Sequence, residues 1–371
     1  MSVLIICEKP SVAKTVALAL GAAEQKDGCL SGDGLLVSWC IGHLISMADA
    51  GSYDERYKKW RYEDLPILPQ AWKYAPTPGK EKQLAVLKEL LHRSDVSEVV
   101  NGCDAGREGE LIFRFVYEQA GCTKPFSRLW ISSMEDSAIR EGFAGRRAGT
   151  EYDALYQSAL CRARADWLVG INATRLFSVL YHKTLNVGRV LSPTLNLLVE
   201  RDGKITMFHK EKYHIVHIGC GGVDAESERI SDASAADALK TACEASQAVC
   251  VSLKKEKKTA LPPKLFDLTL LQREANRVYG FTAKQTLDYA QSLYEKRFLT
   301  YPRTDSNYLT EDMAQTATDL VAALLPVLPF MQGAELTPEI GRVINSAKVS
   351  DHHAIIPTAA FADSGFDGLP E

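Results

Sequence analysis

The chain has 371 residues, enough for two or three domains with sizeable hydrophobic cores. Hydrophobic residues make up 46% of it and charged residues 24%, which are ordinary proportions for a globular protein. No apolar run reaches the length of a transmembrane helix, and the nine scattered cysteines contain no CxxC pair. We therefore expect a cytoplasmic protein with reduced thiols, no membrane association and no zinc ribbon.

The first part of the chain alternates strand and helix patterns. Residues 3–6 form a short apolar run, typical of a buried strand, and residues 12–20 follow with helical spacing. Glu8 and Lys9 therefore fall at the carboxyl end of a strand, where open α/β sheets bind ligands. Over residues 1–148 this alternation predicts an α/β domain with a parallel sheet covered by helices.

The same pattern returns later in this domain. A second apolar run covers residues 98–101, and a helical pattern covers residues 111–119. Asp104 and Glu108 lie in the glycine-rich turn between them. Carboxylates with room for water suit Mg²⁺. The alternative is an ordinary strand-to-helix turn whose charges are solvated. Cys103, like Cys7, is expected to be a buried small apolar side chain.

Further elements follow residue 148 in chain order. They are a helix-rich stretch over 151–180, a helix beginning at 193, a β-containing stretch over 213–253 with helical spacing at 232–248, amphipathic helices over 266–278 and 283–296, and helices again over 310–325.

Basic residues are concentrated locally, although the net charge is −4. Residues 161–189 contain a single acid, Asp166. Their cations are Arg162, Arg164, Arg175, Lys183 and Arg189. Local density of this kind favours phosphate contacts and predicts a nucleic-acid groove, in which Trp167 could stack on bases. The second basic stretch, residues 254–258, is expected to be a solvated linker.

Tyr301 lies two residues before Arg303, in a short apolar run that ends at Pro302. A phenol has a pKa of about 10 and needs nearby positive charge to become a nucleophile near neutral pH. The pattern therefore suits covalent attack on a phosphodiester. The alternative is a buried tyrosine at a strand end, with Arg303 paired to Asp305.

Together, six motifs resemble those of the type IA DNA topoisomerases, in the topoisomerase III branch, and occur in that family's order. They are residues 8–9, 104–110, 162–167, 187–195, 301–306 and 352–358. The first two resemble the Toprim metal-binding domain, and the run at 301–306 resembles the active-site tyrosine segment.

The resemblance implies an α/β plus α fold, in which a Toprim-type parallel-sheet domain precedes helical DNA-binding and β-containing arch segments of an incomplete torus. The implied domains are 1–148 (Toprim), 149–212 (helical DNA-binding base), 213–265 (β-rich arch segment) and 266–371 (active-site tyrosine domain). The chain stops soon after the histidine motif. The returning halves of the arch and base are therefore expected on a missing C-terminal segment or a partner protein.

The resemblance also implies ATP-independent cleavage, passage and religation of single DNA strands. Tyr301 would form a 5′-phosphotyrosine link, and Arg303 would neutralise the scissile phosphate. Lys9 would reach the same phosphate, either protonating the leaving oxygen or stabilising its charge. His352 would order the tyrosine pocket or form a relay, with His353 as the alternative. No GxxxxGK[ST] loop occurs, as expected for a reaction without nucleotide.

Mg²⁺ is the implied cofactor, with Glu8, Asp104 and Glu108 as its ligands; Glu8 as an acid–base group is the alternative. Gly106 stands where the family often has a second acid, and Leu191 where it commonly has glutamine. The implied substrate is single-stranded or underwound duplex DNA. Its implied contacts are Arg162, Arg164, Arg175, Arg189, Ser192 and Thr194.

Two other functions stay open from the sequence. A Toprim nuclease would share the carboxylates but would not need Tyr301. A non-catalytic fragment that binds single-stranded DNA would need only the basic groove. For Arg107, a phosphate contact and a salt bridge to Glu110 are both compatible with the pattern.

Overall fold

The computed structural model describes residues 1–131, 134, 136–331, 333, 338–349 and 352–369. Within these ranges the strands are β1 (Ser2–Cys7), β2 (Glu24–Lys26), β3 (Cys29–Gly32), β4 (Leu35–Trp39), β5 (Ile45–Met47), β6 (Tyr74–Pro76), β7 (Val96–Gly102), β8 (Phe126–Arg128), β9 (Arg147–Ala148), β10 (His217–Cys220) and β11 (Val223–Glu226). The α-helices are α1 (Pro10–Ala19), α2 (Glu81–His92), α3 (Arg107–Gln119), α4 (Asp136–Ala144), α5 (Asp153–Leu180), α6 (Leu191–Thr206), α7 (Ala233–Glu244), α8 (Leu268–Tyr279), α9 (Ala283–Glu295), α10 (Ala314–Leu324) and α11 (Ala359–Ser364). None of these helices combines the length and the apolar character needed to cross a membrane.

A seven-stranded sheet forms the first part of the molecule, in the order β2-β3-β4-β1-β7-β8-β9. Its central pairs, β4–β1, β1–β7 and β7–β8, are parallel, as the sequence predicts. The edge pairs are antiparallel, so the sheet is mixed. A tight turn formed by Asp33 and Gly34 makes one of these pairs, β3–β4, antiparallel. Both have positive φ and form the two-residue hairpin turn between β3 and β4.

Both faces of the sheet are covered, because successive side chains of β1 point to opposite sides. Leu4 and Ile6 join one buried cluster, and Ile5 joins another. The first cluster includes Phe113 of α3, and the second includes Val16 of α1. Burial on both faces accounts for the continuous apolar run of β1.

Two strand-to-helix turns bring predicted site residues to one edge of this sheet. β1 ends at Cys7, and Lys9 is the extended N-cap residue of α1, whose first residue is Pro10. The adjacent strand β7 ends at Gly102, and Gly106 is the N-cap of α3. Because β1 and β7 are parallel neighbours, the two turns lie side by side.

The segment that carries Tyr301 is joined to the segment that carries His352. Isolated bridges pair Leu299 with Pro357 and Phe266 with Ile355. In addition, Thr300 N donates a hydrogen bond to Ile356 O at 3.0 Å. These pairings place the tyrosine and histidine motifs next to each other.

The chain forms two compact units: residues 1–187 together with 263–371, and residues 188–262. The second unit contains α6, the β10–β11 hairpin and α7. In the described structure, residues 254–258 are exposed and lie outside helix and strand. The finer division into four domains stays a prediction.

Candidate active site

Lys9 lies at the centre of a group of polar side chains in the larger unit. Its Nζ is 3.2 Å from Glu8 Oε1, 3.2 Å from Asp104 Oδ2 and 3.4 Å from Tyr301 Oη. The structure thus brings together side chains from the β1–α1 turn, the β7–α3 turn and the tyrosine segment. The phenol that the sequence singles out has a cation within hydrogen-bonding distance.

His352 also belongs to this group. Its Nε2 is 3.6 Å from Asp104 Oδ2, and its ring centroid is 4.4 Å from that of Tyr301. His353 instead is buried, with Nδ1 2.8 Å from Ala354 O. The geometry therefore places His352, and not its neighbour, beside the phenol.

The electrostatics of the group follow from its burial and its pairing. Burial alone would raise the pKa of Asp104, but His352 and Lys9 outweigh it and lower that pKa. Burial alone would lower the pKa of Lys9, but Asp104 and Glu8 raise it. The pKa of Glu8 is raised, first by burial and then by the charge of Asp104. Lys9 and Asp104 are therefore charged at neutral pH, and Glu8 takes up a proton more readily than an ordinary glutamate.

The turn that presents Asp104 is tightly wound. Gly106 N donates to Asp104 O at 2.8 Å, and that oxygen also approaches Gly109 closely. A Cβ on Gly109 would lie 2.1 Å from Asp104 O, so only glycine fits there.

A buried charge network supports the same turn from inside the protein. The Arg128 side chain is 1% exposed, and its guanidinium donates to Cys103 O and Asp104 O, each at 2.6 Å. Arg128 Nε lies 2.7 Å from Glu110 Oε1, at an angle that makes an ion pair but not a hydrogen bond. Glu110 also pairs with Arg114, at 3.3 Å. The sequence analysis missed this network; its signal is an arginine at the end of β8, directly before the apolar run of residues 129–131.

Glu108 is not part of the group around Lys9. It lies in the first turn of α3, its side chain is 60% exposed, and its Oε1 is 2.5 Å from His43 Nε2. This hydrogen bond is the largest of the effects that lower the pKa of Glu108. The sequence analysis did not identify His43.

The fit of a divalent cation can be judged from these carboxylates. Across the described ranges, no three His, Cys, Asp or Glu side chains are grouped so that they could hold a metal ion. Glu8 and Asp104 fit Mg²⁺ in chemistry and in placement, because their oxygens already converge on one cation, Lys9. Glu108 fits in chemistry, but it would have to exchange its contact with His43.

Two arginines near the site are available to solvent. Arg303 is exposed, and its alternative pairing with Asp305 stays open. Arg107 is exposed as well. Its alternative partner Glu110 is buried and pairs with Arg128 and Arg114, and the described structure shows no salt bridge between Arg107 and Glu110.

The predicted groove residues of α5 differ in their placement. Arg162 is half-buried. The pKa of Glu108 is lowered mainly by His43, against the opposite effect of burial, and the charge of Arg162 adds a smaller lowering effect. Arg164 stacks over Trp72, 5.3 Å from the ring centroid. Arg175 is 4% exposed and donates to Tyr57 O at 2.7 Å, so it anchors the chain at Tyr57 instead of offering a charge to solvent.

The remaining predicted DNA contacts, Arg189, Ser192 and Thr194, lie in the second unit. Ser192 Oγ accepts a hydrogen bond from Gly188 N at 3.2 Å, and Thr194 Oγ1 donates to Val190 O at 2.8 Å. Both hydroxyls thus support the start of α6. Their role toward DNA stays a prediction.

Two family models match the chain. The model described as DNA topoisomerase matches residues 150–367, and the Toprim domain model matches residues 3–134. The chain is also 41% identical to the DNA topoisomerase 3 of Shouchella clausii over 369 residues, which covers 95% of this chain and 50% of that protein. It is 41% identical to the DNA topoisomerase 3 of Bacillus subtilis over 368 residues, covering 96% of this chain and 50% of that protein.

A solved structure gives a similar result. Full-length topoisomerase I from Thermotoga maritima superposes with a TM-score of 0.64 at 25% identity, over 96% of this chain and 56% of the other. The chain thus spans about half the length of the curated relatives that it matches.

Proposed function

Because this chain belongs to the family of type IA DNA topoisomerases, we propose that it cuts and reseals single DNA strands through a covalent bond to Tyr301. One observation carries the proposal: Lys9 contacts the Tyr301 hydroxyl, and it also pairs with Glu8 and Asp104. The distances from Lys9 Nζ are all between 3.2 and 3.4 Å. A cation beside the phenol favours its reaction as a nucleophile, and the two carboxylates beside that cation could hold a divalent metal ion.

In the proposed cleavage step, Tyr301 Oη attacks the phosphorus of a DNA phosphodiester. A bond forms between that oxygen and phosphorus, while the bond from phosphorus to the 3′ oxygen breaks. The phenol loses its proton, and the departing 3′ oxygen gains one to become a hydroxyl. The 5′-phosphotyrosine ester stores the energy of the old bond, so the reverse reaction reseals the strand without ATP.

Lys9 acts in this step as a fixed positive charge. Asp104 and Glu8 raise its pKa against the opposite effect of burial, so it keeps its proton at neutral pH. Its charge stabilises the phenolate as the Tyr301 proton leaves. Arg303, which is exposed and lies two residues further along the chain, is the proposed partner of the scissile phosphate, which its guanidinium would bind with two N–H groups.

Mg²⁺ is the proposed cofactor. Glu8 and Asp104 would hold it, and Glu108 would join them after releasing His43. When bound, the ion supplies positive charge at the phosphate and the 3′ hydroxyl during resealing.

Single-stranded or underwound DNA is the proposed substrate, with relaxation or decatenation of DNA as the outcome. Arg162 and Arg164 of α5 are the proposed phosphate contacts in the larger unit. For passage of a second strand, we propose that these residues act with a further chain segment or partner protein that completes a torus. The proposed location is the bacterial cytosol, away from membranes.

A single-stranded oligonucleotide with a label on its 3′ end tests the proposal. Because the 5′ phosphate stays on the protein, the label should migrate with the protein on a denaturing gel. Tyr301→Phe should abolish this adduct, whereas Tyr289→Phe, at an exposed tyrosine of α9, should not. Cleavage without an adduct would favour a Toprim nuclease. Binding without cleavage would favour a DNA-binding fragment.

A further inference from the structure

A second tyrosine packs against the proposed nucleophile. The ring of Tyr294, in the last turn of α9, meets the Tyr301 ring nearly edge-on, with centroids 5.3 Å apart and planes at 70°. This is a preferred arrangement for two aromatic rings, since the positive edge of one faces the negative face of the other.

Two further groups that contact the Tyr301 ring in the described structure are ionisable. Lys9 Nζ lies 4.7 Å from the ring centroid, and the His352 ring lies 4.4 Å away. Both also contact Asp104, so their positions depend on the charges in the site. The contact with Tyr294 is different, because it is a packing contact between two rings and not an ion pair. It does not have to change when a phosphate arrives and the ion pairs rearrange.

The backbone holds Tyr294 in a defined position relative to Tyr301. α9 ends in a Schellman motif, in which Phe298 N donates to Leu293 O and Arg297 N donates to Tyr294 O, each at 2.9 Å. Arg297 takes the left-handed conformation that the motif needs, with φ of 63°. The chain therefore passes from one tyrosine to the other through a hydrogen-bonded turn.

Tyr294 does not compete with Tyr301 as a nucleophile. The hydrogen bond from Lys9 Nζ goes to Tyr301 Oη. Burial also raises the pKa of Tyr294, so this phenol stays uncharged at neutral pH. Tyr294 contacts Tyr301 through its aromatic ring.

We propose that Tyr294 is a positioning residue, whose ring holds the Tyr301 ring in the orientation required for attack on phosphorus. This inference rests on the proposed function. The ring performs the role and the hydroxyl is dispensable, so Tyr294→Phe should behave like the natural protein and Tyr294→Ala should not.

The first measurement is the single-turnover rate of Tyr301 adduct formation. Tyr294→Ala should lower the rate by at least about tenfold, since a misplacement of about 1 Å can cost 10²-fold. Its affinity for the oligonucleotide should be unchanged, and Tyr294→Phe should restore the rate. Tyr289→Ala is the matched control, because Tyr289 lies on the same helix but packs on Phe281.

The second measurement reports ring position without catalysis. With 3-fluorotyrosine at position 301, the ¹⁹F resonance should shift or broaden in Tyr294→Ala, and should match the natural protein in Tyr294→Phe and Tyr289→Ala. An unchanged resonance in Tyr294→Ala overturns the inference, whatever the rate. If the natural protein forms no adduct at Tyr301, the proposed function fails, and the ¹⁹F spectra still decide the role of Tyr294.

Discussion

Lys9 Nζ and Tyr301 Oη lie 3.4 Å apart, although 292 positions separate them along the chain. The contact exists only when the β1–α1 turn and the tyrosine segment are in place together. It therefore links the reactivity of the phenol to the folded arrangement of the whole larger unit.

Replacing Lys9 tests the importance of that contact. Lys9→Ala should slow adduct formation by about 10²–10³-fold, the usual cost of removing one charge-stabilising donor from an active site. Lys14→Ala, which removes an exposed lysine from the same helix, should leave the rate unchanged. A rapid-quench time course measures both, and a loss of less than about threefold in Lys9→Ala would contradict the proposed role.

The two carboxylates beside Lys9 should have opposite effects on stability. The pKa of Asp104 is lowered in the folded protein, so its contribution is present above its usual value of 3.8 and is lost as the pH falls through the lowered pKa. The pKa of Glu8 is raised, so its contribution is present below 4.5 and is lost as the pH rises through the raised pKa. At pH 7, Asp104→Asn should therefore lower Tm and Glu8→Gln should raise it.

Calorimetry in EDTA at several pH values would measure these changes in Tm. The effect of Glu8→Gln should vanish below pH 4.5, and the effect of Asp104→Asn should shrink below pH 3.8. Glu63→Gln, at an exposed glutamate, should show neither trend. Shifts of the same sign at pH 7 would refute the assignment.

The Asp104 turn should not tolerate a side chain at Gly109. A Cβ there would lie 2.1 Å from Asp104 O, so Gly109→Ala must move the backbone that presents this carboxylate. We expect a loss of about 2 kcal/mol or more in unfolding free energy, together with slower adduct formation. At Gly203 no atom lies within 4 Å of the added Cβ, so Gly203→Ala should stabilise its helix by about 0.5–1 kcal/mol. Urea unfolding compares the two variants, and equal effects would be unexpected.

Removing Arg128 should be costly. Arg128→Met leaves Glu110 paired only with Arg114 and leaves the carbonyls of Cys103 and Asp104 without this donor. Breaking a buried ion pair on one side costs about 3–5 kcal/mol. The double variant Arg128→Met with Glu110→Gln should recover part of that loss, because the uncompensated charge is gone. Urea unfolding of both variants provides the measurement, and a double variant no more stable than Arg128→Met would argue against charge burial as the cause.

Asp104 should matter more for resealing than for cutting. Asp104→Ala keeps the side chains of Lys9 and Tyr301 but removes a proposed Mg²⁺ ligand, so adduct formation should fall less than religation does. Chelation by EDTA should have the same selective effect on the natural protein. The assay follows loss of the preformed adduct after a 3′-hydroxyl strand is added. Equal loss of both steps would rule out a special role of the ion in resealing.

Local sequence patterns were sufficient to locate the two turns that carry Lys9 and Asp104. They succeed because apolar periodicity marks β1 and β7, and the carboxyl ends of parallel neighbours meet. The pairing of Tyr301 with His352 came from the family resemblance alone, since no local pattern records a contact over that distance.

Other features could not be read from local patterns. His43 reaches Glu108 across 65 positions, and nothing near either residue indicates that contact. Arg128 and Arg175 look like surface cations in the sequence, yet both are buried, because backbone carbonyls accept their N–H groups. The edge hairpin at Asp33 could have been predicted from the sequence, since Asp-Gly between apolar runs indicates a tight turn.

Side-chain hydrogen bonds join the tyrosine segment directly to the histidine segment. Thr304 Oγ1 donates to His352 O at 2.8 Å, and Thr300 Oγ1 accepts from Ile356 N at 2.9 Å. If this half of the unit swings away from Lys9, phenol and imidazole travel as one piece. The contacts of these two side chains with Lys9 and Asp104 are then broken and remade, and each return brings the same phenol and imidazole back together.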